Sequence, residues 1–220
     1  MNRWATPMAD RRKHMATIAL ICLSLSAGIC AYLFTSHNQL KSPPSIESLI
    51  WPPYQLGNFS LESTEDATLD LAQLKDRWSF IFFGYTNCPD VCPMTMTTLA
   101  ATVSKLQAVG ASDSTQVIFV SIDPNRDTIS HMETYVKYFD TAFIGATGEI
   151  EEINVLSSQL GVAHIRSEPN EEGIYTVDHS ASIMLIDPKG RKVGVFGSRD
   201  KPDEIAENFQ SIKKYVESQS

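Results

Sequence analysis

Cys88 and Cys92, with three residues between them, stand in the stretch FGYTNCPDVCPMT at the end of an apolar run. A thiol pair can exchange disulfides, hold a soft metal or cross-link the chain. Pro93 follows Cys92, and proline is favoured in the first turn of a helix. That places the pair at a strand-to-helix junction. There the unpaired helix N–H groups and the dipole favour negative charge, which predicts a lowered thiol pKa. A thiolate is both the nucleophile of disulfide exchange and the ligand a soft metal needs, so position does not separate the two uses. Residues four apart lie about one helical turn from each other, which lets both sulfurs face one point. A turn of this size can also close a disulfide. An inert structural bridge is the least favoured use, because so short a loop removes little chain entropy.

A third ligand has to come from elsewhere in the chain, and there are five histidines. His14 and His37 flank the N-terminal apolar run. His131 falls in the first turns of a predicted helix and is expected at the solvated surface. His164, in VAHIRSE, is expected on an edge strand. His179, in YTVDHSASIMLID, is expected in the loop feeding a late strand. In a thioredoxin-like arrangement that loop passes beside the strand-to-helix cysteines. Two thiolates and one imidazole suit copper: the sulfurs favour Cu(I), and the imidazole helps retain Cu(II). A structural zinc site would normally take a fourth protein ligand. Asp90, Asp123 and Asp178 can offer oxygen, and Met94 and Met96 thioethers, although a helical methionine usually fills core.

The elements that position these groups follow from periodicity. LGNFSLESTEDATLDLAQL reads as a short hairpin or loop leading to a helical turn. Trp78–Tyr85 is a continuous apolar run, as a buried central strand requires. Met96, Leu99, Val103 and Leu106 recur at helical spacing, with Gly110 as the stop. Thr115–Asp123 reads as a second buried strand. Ile129, Met132, Val136 and Phe139 form another helical stripe, and AFIGATG is a short strand. Glu149, Glu151 and Glu152 open a helix at its positive end, closed by Gly161. SASIMLIDPKGRKVGVF is a hairpin turning at Pro188–Gly190. Ile205, Phe209, Ile212 and Val216 form a final amphipathic helix. Alternating β and α elements with a late hairpin predict an α/β fold of thioredoxin-like order with a mixed central sheet.

The first 35 residues have a different character. Thr17 to Phe34 carries no charge over 18 residues, and Arg11, Arg12 and Lys13 precede it. This length is at the short end of what spans a bilayer core, and the basic cluster predicts a cytoplasmic N-terminus. A cleaved signal peptide is the rival reading, but no clear small-x-small site follows, which favours an uncleaved anchor. Cys22 and Cys30 are each preceded by isoleucine rather than the small residue a lipoprotein site wants, so packing in lipid is the expected role. The division is then a cytoplasmic segment at 1–16, a transmembrane helix at 17–35, a proline-containing linker at 36–53 and a folded domain at 54–220. Beyond residue 35 the chain has 25 acidic and 14 basic side chains, a net charge of −11. With no basic stripe to neutralise phosphates, nucleic acid is not expected as a partner.

FGYTNCPDVCPMT, SIDPNRDT, YVKYFDTAFIGATG and VDHSASIMLIDPKG, in this order between roughly Phe59 and Tyr215, resemble the SCO/SenC copper chaperones. A bare CxxxC is weak evidence; the whole string with the distal Asp-His and an N-terminal anchor is specific. The resemblance implies a membrane-tethered, thioredoxin-like protein that helps build the binuclear CuA centre of cytochrome c oxidase. Cys88 and Cys92 match the cysteines that bind copper and can form a disulfide, and His179 matches the distal ligand. Asp123, Arg126 and Asp127 match a segment expected to be structural or partner-facing, and Asp90 an acidic residue that can affect docking. The turn before the first core helix, ESTEDATLDL, departs from the family pattern. Implied partners are the CuA domain of oxidase subunit II, a periplasmic copper donor and a thioredoxin-like reductant. A thiol–disulfide oxidoreductase acting on the CuA cysteines is the alternative activity. No basic, serine-rich transit sequence is present, which favours a bacterial inner membrane with a periplasmic domain over a mitochondrion.

Overall fold

The structure is a computed structural model that describes Met15 and residues 18–30, 46–65 and 68–219. The chain divides into two units, Met1–Ser42 and Pro43–Ser220. In the first, residues 18–30 form helix α1 with every side chain exposed, Cys22 and Cys30 included. No helix among the described residues is long and apolar enough to cross a membrane. The expected span at 17–35 runs beyond α1 into residues outside the described set, as do His14, His37 and nearly all of 1–16.

The second unit is built on a mixed sheet. Its strands in chain order are β1 (Leu49–Gln55), β2 (Ser60–Ser63), β3 (Leu69–Asp70), β4 (Trp78–Gly84), β5 (Thr115–Ser121), β6 (Ile144–Thr147), β9 (Ile183–Ile186) and β10 (Arg191–Phe196). They lie in the order β1-β10-β9-β4-β5-β6-β2-β3. β4, β5 and β6 run parallel, and the β9–β10 hairpin adds antiparallel to β4. A separate two-stranded sheet pairs β7 (His164–Arg166) with β8 (Val177–His179). The helices are α2 (Leu71–Leu74), α3 (Val91–Ala108), α4 (Ile129–Phe139), α5 (Ile150–Leu160) and α6 (Pro202–Ser218). This is the α/β fold with a mixed sheet that periodicity predicts, consistent with thioredoxin-like order.

Every residue of β4 is buried, which explains its unbroken apolar run: a central parallel strand is covered on both faces. Phe80 packs on Phe196 and on Phe209 of α6, and Trp78 meets Phe209 edge-on at 5.6 Å. Each such fully buried aromatic contributes roughly 1.5–3 kcal/mol relative to an exposed one. α3 and α6 are tied at the surface by Lys105 and Asp203, 2.6 Å apart. α5 ends where Gly161 takes φ +74 in the left-handed region, a conformation glycine adopts without a Cβ penalty.

One boundary differs from expectation. Residues 49–53, read as linker because of Pro52 and Pro53, belong to β1, which pairs with β10 across an irregular register. The prolines are tolerated because β1 is the edge of the sheet, where a missing N–H breaks no inner ladder.

Candidate metal centre

The cysteine-bearing turn grows out of the end of β4. The Cys88 N–H donates to the Tyr85 carbonyl at 3.2 Å, closing the turn, and α3 begins at Val91. The N-cap residue, Asp90, makes no side-chain capping bond. Instead the Cys92 N–H donates to Cys88 Sγ at 3.4 Å, so a sulfur occupies one of the orphan donors of the helix. Pro93, next in the helix, has no N–H to leave unpaired. Behind the turn lies Asp127, only 1% exposed. It accepts from the Thr86 N–H at 2.9 Å, the Thr86 hydroxyl at 2.5 Å and the Ser121 hydroxyl at 2.6 Å. The carboxylate pins the turn to the end of β5.

Gly84 sets the depth of the pocket. A Cβ there would stand 2.8 Å from both Cys92 Sγ and a Phe119 ring carbon. The missing side chain is what lets the sulfur seat over the end of the strand.

His179 is the last residue of β8, not a loop residue as expected, and lies directly opposite His164 of β7 in the antiparallel register. Its Nδ1 is 3.2 Å from the Ser180 carbonyl. A carbonyl only accepts, so Nδ1 carries the proton and Nε2 keeps its lone pair. Nε2 is 3.4 Å from Cys92 Sγ. The ring is flanked edge-on by Phe82 at 6.0 Å and Tyr85 at 6.2 Å. Burial pushes the imidazole pKa below its ordinary value, outweighing the Ser180 bond and the Asp178 charge, which raise it. The ring is therefore neutral near pH 7, the form that binds metal.

The ligand atoms of Cys88, Cys92 and His179 all lie within 4.8 Å of one another. Donors about 2.0–2.3 Å from a shared ion stand roughly 3.5–4 Å apart in trigonal geometry, so the set closes on an ion with small side-chain shifts. Two sulfurs and an imidazole select copper or zinc over hard cations. No further His, Cys, Asp or Glu joins the cluster among the described residues, which leaves it short of the four ligands of a structural zinc site. Both thiols are unbridged.

The lowered thiol pKa expected at the helix N-terminus is not found at Cys92. Its thiol is pushed well up, first by burial, then by the hydrogen bond with Cys88. Cys92 is 0% exposed, and loss of water outweighs the dipole. A metal ion binding there has to displace the thiol proton.

The remaining sequence candidates are placed around this centre. Asp123 pairs with Arg126 and accepts from the Tyr175 hydroxyl at 2.8 Å, and it is not among the clustered donors. Asp90 and Asp178 are exposed, and so is His131. Met96 is core and Met94 is exposed. Gly84, Thr86, Ser121 and Tyr175 complete the surroundings without having been singled out. A glycine ending a buried strand just before a cysteine motif is a readable signal of close approach. The others depend on contacts between distant segments, which have no local signature.

Fold and donor set define an α/β protein with a thiol–imidazole centre for a soft metal. The SCO1/SenC family model matches residues 52–216, and the chain belongs to that family. It is 33% identical over 160 residues to the mitochondrial Protein SCO1 homolog 1 of Arabidopsis thaliana, covering 72% of this chain and 47% of the relative. It therefore spans about half the length of that protein. With the mitochondrial Protein SCO2 homolog of Mus musculus it shares 31% identity over 218 residues, 98% of this chain and 84% of the relative. A structure of Bradyrhizobium japonicum ScoI with copper bound superposes with a TM-score of 0.63 at 33% identity, covering 73% of this chain and 99% of that one.

Proposed function

We propose that the protein carries one copper ion on Cys88, Cys92 and His179 and passes it to the apo CuA site of cytochrome c oxidase subunit II. The carrying observation is the convergence of two thiols and a neutral imidazole, distant in sequence, within 4.8 Å. Two sulfurs hold Cu(I), and the imidazole steadies the ion in either valence. A three-donor centre leaves an approach for an incoming ligand, so the ion can move by ligand exchange. The CuA client is what membership in this family implies. An anchor at 17–35, with the linker behind it, would hold the domain beside a membrane-bound client. The uncharged run and the basic cluster before it support an orientation with the domain in the periplasm. A periplasmic copper donor and a thioredoxin-like reductant complete the cycle.

The test is copper content and spectrum of the full chain in detergent. One equivalent with sulfur-to-Cu(II) charge-transfer bands, lost on replacing either cysteine, supports the reading. Unchanged copper binding and oxidase assembly in His179→Ala would sink it.

A second reading, reduction of the client's CuA cysteines, is favoured by the two unbridged thiols and their unequal burial. Cys88 is 9% exposed and Cys92 fully buried. The Cys88 thiolate would attack the client disulfide, expelling one client thiolate and forming a mixed disulfide. Cys92, giving up its proton to the departing client thiolate, would then attack Cys88 Sγ, releasing the reduced client and leaving a Cys88–Cys92 disulfide. Copper-free Cys92→Ser would trap the mixed species; recovery of none would remove this activity.

A further inference from the structure

The turn after β5, Asp123–Thr128, reaches both ligand-bearing segments through neighbouring residues. Asp127 holds the cysteine turn, as described. Arg126, next to it, holds the other segment. Its Nη1 donates to the Tyr175 carbonyl at 3.1 Å, and its guanidinium lies 3.8 Å from the centre of the Tyr175 ring. The Tyr175 hydroxyl donates to Asp123, which is itself paired with Arg126. The same guanidinium lies 5.5 Å from the Tyr85 ring, which flanks His179. Tyr175 is four residues before His179, on the chain entering β8.

The β7–β8 hairpin needs such a tie. It shares no ladder with the eight-stranded sheet. Its other attachments are the burial of Val177, whose backbone also bonds the Tyr85 hydroxyl, the His179 ring against Phe82, Tyr85 and Cys92, a 3.5 Å contact between His164 and Ser157, and the chain running on into β9. The latch is also not fully satisfied. Arg126 Nη2 is buried with no hydrogen-bond partner among the described residues, which makes the closed arrangement easier to leave than a complete network would be.

We propose that Arg126, with Asp123 and Tyr175, is a latch that keeps the His179 imidazole facing the two sulfurs, so that its release converts a three-donor centre into a two-thiol one. Arg126 is a positioning residue: it touches neither the ion nor a ligand atom, and acts by holding the strand that ends in His179. Opening the latch weakens retention of the ion without disturbing the cysteine turn, which Asp127 holds separately. The copper part of this rests on the function proposed above; the mechanical part does not.

The experiment uses the full chain in detergent with Arg126→Lys, the milder Tyr175→Phe, His179→Ala and the double variant Arg126→Lys/His179→Ala. Cu(I) is titrated against bathocuproine disulfonate, and imidazole nitrogen coupling is read by pulsed EPR on the Cu(II) form. Arg126→Lys should weaken Cu(I) about tenfold and diminish the nitrogen coupling, with Tyr175→Phe a few-fold weaker in the same sense. In the His179→Ala background Arg126→Lys should cost nothing further, because the latch acts only through that ring. In copper-free protein, Arg126→Lys should speed hydrogen exchange at the Ser167 and Ser180 amides, which close the two ends of the hairpin, and leave α3 unaffected. Equal weakening with and without His179, or unchanged exchange at both amides in both single variants, overturns the latch. Wild-type protein that holds no copper on its sulfurs overturns the copper reading instead, and the exchange result still decides the latch.

Discussion

The turn carrying Cys88 and Cys92 grows directly from β4, a strand with neighbours on both sides and no exposed residue. His179 ends β8, one of two strands in a sheet that, among the described residues, shares no ladder with the larger one. The cysteine turn is held from behind by a buried carboxylate with three donors. The histidine hairpin is held by an arginine whose Nη2 finds no hydrogen-bond partner among the described residues. A carrier needs both qualities. Two donors on a rigid base keep the ion placed, and a third on a separate leaf can withdraw when the ion has to leave.

Breaking the rigid side should have the largest effect. Cys92→Ser is expected to abolish copper binding at any practical concentration, read as lost sulfur-to-Cu(II) absorption. Asp127→Ala comes next. It strands the Thr86 N–H and the Thr86 and Ser121 hydroxyls, and should cost about 3 kcal/mol in urea unfolding. A loss under about 0.5 kcal/mol would remove the rigid-base argument. His179→Ala removes a donor outright and should lower copper affinity by more than the roughly 10–100-fold that loss of an outer-shell partner costs, measured by chelator competition, while the unfolding midpoint stays nearly unchanged. If stability fell as far as in Asp127→Ala, the two regions would not differ as described.

The smallest effect sharpens the comparison through pH. His179 and His164 both have pKa values held below the ordinary 6.5 by burial. Below pH 6.5 the unfolded chain takes up protons that the folded hairpin refuses. Metal-free stability should therefore fall as pH drops from 6.5, and level off once pH passes the lowered folded values. Well above 6.5 neither state is charged and these residues contribute no slope. His179→Gln should flatten part of this descent relative to the wild-type chain. An identical slope in the variant would mean that the imidazole is not held neutral by its surroundings.

Much of this was legible in the sequence where the signal is local. The β4 run, the helical stripes of α3, α4 and α6, and the β9–β10 turn each state their own period, and the structure follows them. Cys88, Cys92 and His179 were also readable, though the histidine only through the order of elements and the family resemblance. β1 was not, because Pro52 and Pro53 look alike in a tether and in an edge strand. The direction of the Cys92 pKa was not, because a cysteine at a helix start can face water or core, and the sequence gives no sign of which. The hold of Asp123 and Arg126 on Tyr175 spans about fifty residues of chain, beyond any window that periodicity can read.

The leaf that ends in His179 has its far tip at residues 167–176, where Asn170 Oδ1 accepts from the Glu172 and Ile174 N–H groups and Glu168, Glu171 and Glu172 face water. Exposed tips of this kind are where polypeptides accept extra length. Growth there would alter what greets a visiting protein while the donors stay in register. The same spot offers a place to insert a fluorescent reporter of hairpin movement without touching the sulfurs.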